Sequence, residues 1–451
     1  MKVVLPVHHF LPKHVGGAEL YTLRLASVLR ARGHSVEIVC VESLNGSPGS
    51  SVKAERDTYR NIVVRRLTLP RDCAPNGLGM LYDYAPLGEW FADYLREERP
   101  DIVHFQAGYL MGVAPLRAAA SVGMPIALTL HDHWFLCPRI MLQRGDGRVC
   151  TSIPDDPAGC AWCMLLEKRR YALSDRLTCG IAGFVARSIM LKSDRAAIAK
   201  RRLTLMEALN LPDIVIAPSM YLAERFAPYV QAERVIVSRG GIDLTPFQNV
   251  PSVQRDGVLR FGFIGLIAPH KGVHLLIKAF QMLRSLGQSI ELHIYGNLNA
   301  YPTYVADLRQ QAKNDTRIYF HGLFEPGRIA EVLSRFDVTV LPSICYENNP
   351  LVILESHAAG TPVITAAMAG MKELVRHMKD GLHFRAADSK DLAHQMQRLI
   401  DDPDLLTNLR SGIQRPRSIE QEVNELISIY ERLCQRYSQK WIEIDTCPHE
   451  S

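Results

Sequence analysis

A chain of 451 residues, 47% hydrophobic and 22% charged, has the balance of a globular protein long enough for two domains with separate cores. Its formal net charge of +5 and pI near 8.6 suit a phosphate-bearing ligand or an anionic membrane surface and are too mild to imply nucleic acid. Ten cysteines are sparse for this length, which excludes a disulfide scaffold and reads as buried thiols in a reducing compartment.

The first β-rich run, Lys2-Val3-Val4-Leu5-Pro6-Val7, starts too early to leave room for a secretory signal, so a cytoplasmic protein is expected. A helix over 18–32 follows, then strands at 36–41, 102–105 and 126–130, an alternation that predicts a parallel sheet with crossover helices. The apolar stretch 112–130 is broken by Arg117 and by Gly and Pro, short of the roughly 20 residues of a spanning helix. From about 137 to 210 the pattern breaks into an insertion. Cys137, Cys150, Cys160 and Cys163 fall in its loop-rich start, where four thiolates could close a tetrahedral zinc site; the first spacing is longer than in paired zinc motifs, and free thiols around an irregular insertion are the expectation. Its second half is basic and helical, read as a solvated face, with a membrane-surface or acceptor-docking helix as the alternative.

Strands resume at 214–217 and 235–238, and the polar stretch 249–257 reads as a linker. A second series runs through 259–264, 290–295, 317–320, 338–341 and 362–364, followed by helical sequence over 390–436 and a polar tail. The prediction is therefore an α/β chain of two tandem Rossmann-like doubly wound domains facing a cleft. The first spans 1–248 with its insertion and the second 258–415, and 416–451 form a helix packing back toward the first domain and the tail. Ligands belong at the carboxyl ends of the strands.

The densest chemistry lies in Tyr346-Glu347-Asn348-Asn349-Pro350-Leu351-Val352-Ile353-Leu354-Glu355. Asn349 as N-cap and Pro350 as first helical residue start a helix whose free amides and positive dipole end suit a diphosphate. Glu347 before it and Glu355 within it could accept hydrogen bonds from two separate hydroxyl-bearing groups, a hexose and a ribose. Two dipole-favoured glutamates are the plainer reading of the motif alone.

The Glu-x7-Glu spacing with its Asn-Pro-Leu turn resembles the signature of retaining glycosyltransferases of family 4, also called glycosyl transferases group 1, which have the glycosyltransferase B fold. The likeness extends through Gly16-Gly17-Ala18-Glu19, Arg32-Gly33-His34, Pro100-Asp101-Ile102-Val103-His104, Leu130-His131-Asp132-His133-Trp134, Ala217-Pro218-Ser219, Gly240-Gly241-Ile242-Asp243 and Pro269-His270-Lys271-Gly272. It implies a hexosyltransferase that moves a sugar from a GDP- or UDP-sugar to a glycan or lipid-linked hydroxyl, needs no metal or other cofactor, and works in polysaccharide or glycoconjugate synthesis. His131, Glu347 and Lys271 are then the catalytic group. Gly16, Gly17, Gly265, Lys271, Asn348, Asn349, Pro350, Leu351 and Glu355 are the donor-binding group, with Gly16 and Gly17 on the donor-diphosphate or the acceptor side. His104, Asp132 and His133 are secondary candidates for acceptor contacts. Peripheral contact with the inner face of a membrane is a further expectation, and no nucleic-acid partner is. Leu266 departs from the pattern: the family has an arginine five residues before the lysine, a role His270 or Arg239 would have to fill. A non-catalytic sugar-nucleotide-binding descendant and a nucleotide-sugar epimerase are the alternatives.

Overall fold

The computed structural model describes residues 1–47, 50–70, 82–189, 192–248, 257–284 and 289–445. The expected linker, but for Gly257, and the end of the polar tail lie outside the described residues. The chain forms two compact units: one of residues 1–218, 222–239 and 420–451, the other of 219–221 and 240–419.

The first unit is built on eight strands: β1 Lys2–Val7, β2 Ser35–Gly46, β3 Lys53–Tyr59, β4 Ile62–Pro70, β5 Ile102–Phe105, β6 Ile126–Thr129, β7 Ile214–Ala217 and β8 Val235–Val237. They lie in the order β3-β4-β2-β1-β5-β6-β7-β8, all parallel except the β3–β4 hairpin. Val3, Val4, Leu5, Ile38, Val39, Ile102 and Val103 are fully buried, as strands covered by helices on both faces must be. The hairpin was not expected from the sequence. The long helix Ile419–Asp445 belongs to this unit from Glu420 onward: Tyr430 Oη bonds His104 Nδ1 at 2.5 Å, and Tyr21 Oη donates to Glu422 Oε1 at 2.6 Å. The insertion folds as four helices, Pro157–Leu165, Arg169–Leu177, Ile181–Ile189 and Lys192–Ala208, around a small core of Ala161, Trp162, Leu166, Ala186 and Ile198.

The second unit carries β9 Leu259–Ile264, β10 Ile290–Tyr295, β11 Ile318–Gly322, β12 Val338–Leu341, β13 Val363–Ala366 and β14 Gly381–Phe384. This all-parallel sheet has the order β11-β10-β9-β12-β13-β14. Each sheet has a topological switch point, β1/β5 in the first and β9/β12 in the second, where crossovers leave in opposite directions and the loops part to make room for a ligand. No helix among the described residues is long and apolar enough to cross a membrane.

Candidate active site

In the second unit the loops after β9 and β12 meet at the switch point. The β9 loop ends in a single 3-10 turn, Pro269–Lys271, followed by Gly272 at φ 72°, where a Cβ would stand 2.0 Å from the Pro342 carbonyl oxygen. Only glycine fits both the left-handed backbone and this approach. The Ile344 amide also donates to the His270 carbonyl at 2.9 Å, so the two loops are locked together.

That locking brings Lys271 against Glu347. Lys271 Nζ donates to Glu347 Oε1, and Ser343 Oγ donates to the same oxygen at 2.8 Å. Burial acts against both charges, but each partner stabilises the other. Burial would lower the Lys271 pKa, yet Glu347 and then Cys345 carry it above its usual range. Burial would raise that of Glu347, yet Lys271 and the Ser343 hydroxyl hold it below. The pair is charged on both sides across the neutral range. Burial, and next the Glu347 charge, push the Cys345 thiol up to about 12, so it is no nucleophile at neutral pH.

Beyond Glu347 the chain is clamped by Gly370, whose amide donates to the Glu347 carbonyl at 2.9 Å. A Cβ on Gly370 would stand 1.8 Å from the Asn348 carbonyl oxygen. The following helix is Leu351–Ala358, with Pro350 as its N-cap at φ −66° and ψ 110°. The start therefore falls one residue later than expected, with Pro350 rather than Asn349 capping: proline's fixed φ suits either place, and here its ψ is extended. No side chain caps this helix, leaving first-turn amides for another acceptor. Asn349 Oδ1 is buried without a hydrogen-bond partner. Glu355 lies on the helix's second turn and is 9% exposed.

Leu266 is 40% exposed. His270 does not replace the missing arginine: burial, and then Lys271, lower its pKa, so it is neutral at pH 7. Arg239 belongs to the other unit.

In the first unit, His131 follows β6 and its Nε2 lies 3.2 Å from Gln106 Oε1, just after β5. With Nε2–H donating, Nδ1 is the acceptor nitrogen of the ring. Burial, helped by His8, lowers its pKa to about 4, so the ring is a neutral acceptor. The Tyr21 ring packs edge-on at 5.1 Å. His8, after β1, places Nε2 3.2 Å from Glu19 Oε1. Gly16 caps the helix Gly17–Ala31, and a Cβ on Gly16 would meet Glu19 Oε2 at 2.6 Å, while the space beside Gly17 is open. Burial opposes the Glu19 charge, but His8 holds its pKa below the usual range. A carboxylate thus already occupies this helix start.

The secondary candidates divide. His104 is a core residue: it is fully buried and bonds Tyr430 Oη through Nδ1 and Thr129 Oγ1 through Nε2 at 2.7 Å, which corrects its reading as an acceptor contact. His133 is 1% exposed and burial lowers its pKa to about 4. Asp132 Oδ1 accepts from the Trp134 amide at 2.8 Å. The sequence reading missed Ser343, Gln106, His8 and Glu19; for the first three the available signal was a polar residue just past an apolar strand at a switch point, and for Glu19 an acidic residue in the first turn of a helix.

A family model described as Glycosyltransferase Family 4 matches residues 15–246, and one described as Glycosyl transferases group 1 matches 248–415. The chain belongs to glycosyltransferase family 4. The chain is 27% identical over 241 residues to the D-inositol 3-phosphate glycosyltransferase of Thermobispora bispora, over 50% of this chain and 56% of that one. It is 30% identical over 182 residues to a Mycobacterium tuberculosis glycogen synthase, over 40% of this chain and 43% of that one. It thus spans about half the length of these relatives. The crystal structure of Anabaena HepE in complex with UDP and glucose superposes with a TM-score of 0.64 at 19% identity, covering 96% of this chain and all of that one. The two sheets are those of the glycosyltransferase B fold.

Proposed function

We propose that this glycosyltransferase transfers a hexose from a UDP- or GDP-sugar to a hydroxyl of a glycan or lipid-linked acceptor, with retention of configuration, in cytoplasmic polysaccharide or glycoconjugate synthesis. The Lys271–Glu347 pair at the switch point, beside a helix start that no side chain caps, carries this reading. A nucleoside diphosphate has two needs, a cation and convergent amides. Lys271 and the amides opening the Leu351–Ala358 helix meet them. Glu347 takes sugar hydroxyls, Glu355 takes those of the ribose, and Gly265, Asn348 and Asn349 shape the loops around the donor. His131, as a neutral acceptor, contacts the sugar. Glu19 makes the Gly16–Gly17 turn unfavourable for a diphosphate, so these residues serve acceptor recognition.

In the reaction the acceptor oxygen bonds to the anomeric carbon as the bond from that carbon to the β-phosphate oxygen breaks, through an oxocarbenium-like state. The acceptor proton passes to the departing phosphate, whose growing charge Lys271 and the helix amides stabilise. This scheme requires no metal.

We also propose that the enzyme contacts an anionic membrane surface, where a lipid-linked acceptor would lie. Helices Arg169–Leu177 and Ile181–Ile189 expose Leu173 (52%), Leu177 (74%), Ile181 (66%), Phe184 (67%) and Val185 (47%), flanked by exposed Lys168, Arg169, Arg170 and Arg176. Apolar groups bordered by cations match an anionic interface.

A thermal-shift screen of UDP- and GDP-sugars against wild type and Glu355→Ala tests the donor site. No stabilisation of wild type by any donor refutes the enzyme reading, and equal stabilisation of both proteins removes Glu355 from the nucleotide site. The exposed Leu266 beside a neutral His270 favours one second reading, a non-catalytic sugar-nucleotide binder. Donor hydrolysis by purified protein without acceptor separates the two.

A further inference from the structure

The glycosyl-transfer site leaves one cluster of reactive side chains unused. Cys137, Cys150, Cys160 and Cys163 line a single small cavity with Leu136, Pro138 and Leu142, and all four are free thiols. They come from three pieces of backbone held in register. Cys137 closes a turn, its amide donating to the His133 carbonyl at 2.7 Å. A hairpin bridged at Gln143 and Val149, with Gly147 at φ 86° in its tip, brings Cys150 back so that its amide bonds the Leu142 carbonyl at 2.7 Å. Cys160 and Cys163 lie one turn apart on the helix Pro157–Leu165, whose start is fixed by Asp156 accepting from the Ala158 amide at 3.0 Å.

Polar groups converge on these sulfurs. Backbone amides of Arg139 and Leu142 donate to Cys137 Sγ, and that of Gly145 donates to Cys163 Sγ. Arg139 and Arg144 line the cavity, and Arg202 Nη2 lies 3.2 Å from Cys160 Sγ. Amide donors to sulfur are the outer shell that orients and stabilises metal-bound thiolates.

We propose that these four cysteines form a structural site for a thiophilic divalent cation of the zinc class. No three ligating groups among the described residues are arranged to hold an ion with the side chains as they stand. Two sulfurs are turned to other partners: Cys150 Sγ donates to the Ser152 carbonyl at 3.2 Å, and Cys160 Sγ is taken by Arg202. Rotation about their Cα–Cβ bonds exchanges those contacts for the ion. As the sulfur–metal bonds form, the thiol protons pass to solvent. The ion would tie turn, hairpin and helix together in an insertion whose own apolar core is small, which is the task of structural zinc in small folds.

The test uses the full chain purified under reducing conditions without chelator. Elemental analysis should find about one zinc per chain, and replacement by cobalt(II) should give the spectrum of a tetrahedral thiolate complex. Cys163→Ser should abolish that spectrum, whereas Cys179→Ser, at an exposed thiol outside the cavity, should keep it. Because Cys163→Ser could unfold the insertion, the wild-type protein decides. Its failure to hold zinc as purified and to develop the cobalt spectrum overturns the proposal, and so does a Cys160–Cys163 disulfide found by non-reducing mass spectrometry. Metal content is read independently of donor binding, so this outcome and that of the donor screen do not depend on each other.

Discussion

The Lys271–Glu347 pair should behave as one energetic unit. Their side chains are 25% and 15% exposed, so Lys271→Met leaves a mostly buried carboxylate with only the Ser343 hydroxyl, and Glu347→Gln leaves a mostly buried ammonium. Removing one partner of such a pair costs about 3 kcal/mol, the low end for buried pairs. Replacing both removes both uncompensated charges, so the double variant should be no less stable than either single one. The coupling is then about 3 kcal/mol, at the top of the range for residues in contact. Chemical denaturation of all four proteins at pH 7 measures it. The pH is chosen by sign. The Glu347 pKa is held down, so its contribution is present above the unfolded value of about 4.3 and lost as pH falls. That of Lys271 is raised, so its contribution is present below about 10.4 and lost as pH rises. Additive single effects, within about 0.5 kcal/mol, would refute the coupling.

Other expectations follow from single features. Leu266→Arg supplies the missing cation at an exposed position; donor affinity should rise by up to about tenfold, while the unfolding midpoint stays within about 0.5 kcal/mol. Unchanged donor affinity would show that Leu266 is remote from the diphosphate. His133 has its pKa lowered to about 4 by burial, so the folded chain stays neutral there while the unfolded chain gains a proton. Its stabilisation is present above pH 6.5 and lost toward pH 4, with a slope of up to about 1.4 kcal/mol per pH unit. His133→Phe should flatten the pH dependence of the urea midpoint, and an unaltered slope would contradict this. Ile181→Glu with Phe184→Glu should abolish sedimentation with anionic vesicles at unchanged melting temperature; if binding persists, these helices are not the membrane face.

Much of the architecture was legible because buried parallel strands are nearly continuous apolar runs, as in Leu259-Arg260-Phe261-Gly262-Phe263-Ile264. The β3–β4 hairpin was not, because Lys-Ala-Glu-Arg-Asp-Thr-Tyr at an exposed sheet edge carries no apolar signal. β14 is four residues with a glycine and a histidine, too short to register. Lys271 and Glu347 were each visible as candidates, but their contact spans 76 positions and depends on two loops meeting at a switch point. His104 and His131 looked alike in sequence. One lies inside β5 and is consumed by the core, and the other lies past the end of β6, where a side chain can leave the sheet.

The helix Ile419–Asp445 gives the first unit a discontinuous chain. His104, Tyr21 and Asp213 all bond to Glu422, Tyr430 or Tyr437 of that helix, yet residues 240–419 belong to the other unit. During synthesis the first sheet therefore emerges with polar partners still unmade. It must wait for the whole second unit to leave the ribosome before the His104 imidazole, already surrounded by apolar strands, receives its Tyr430 hydroxyl. Native contacts of such long sequence separation form late, so the first part of the chain to be made is the last to be completed.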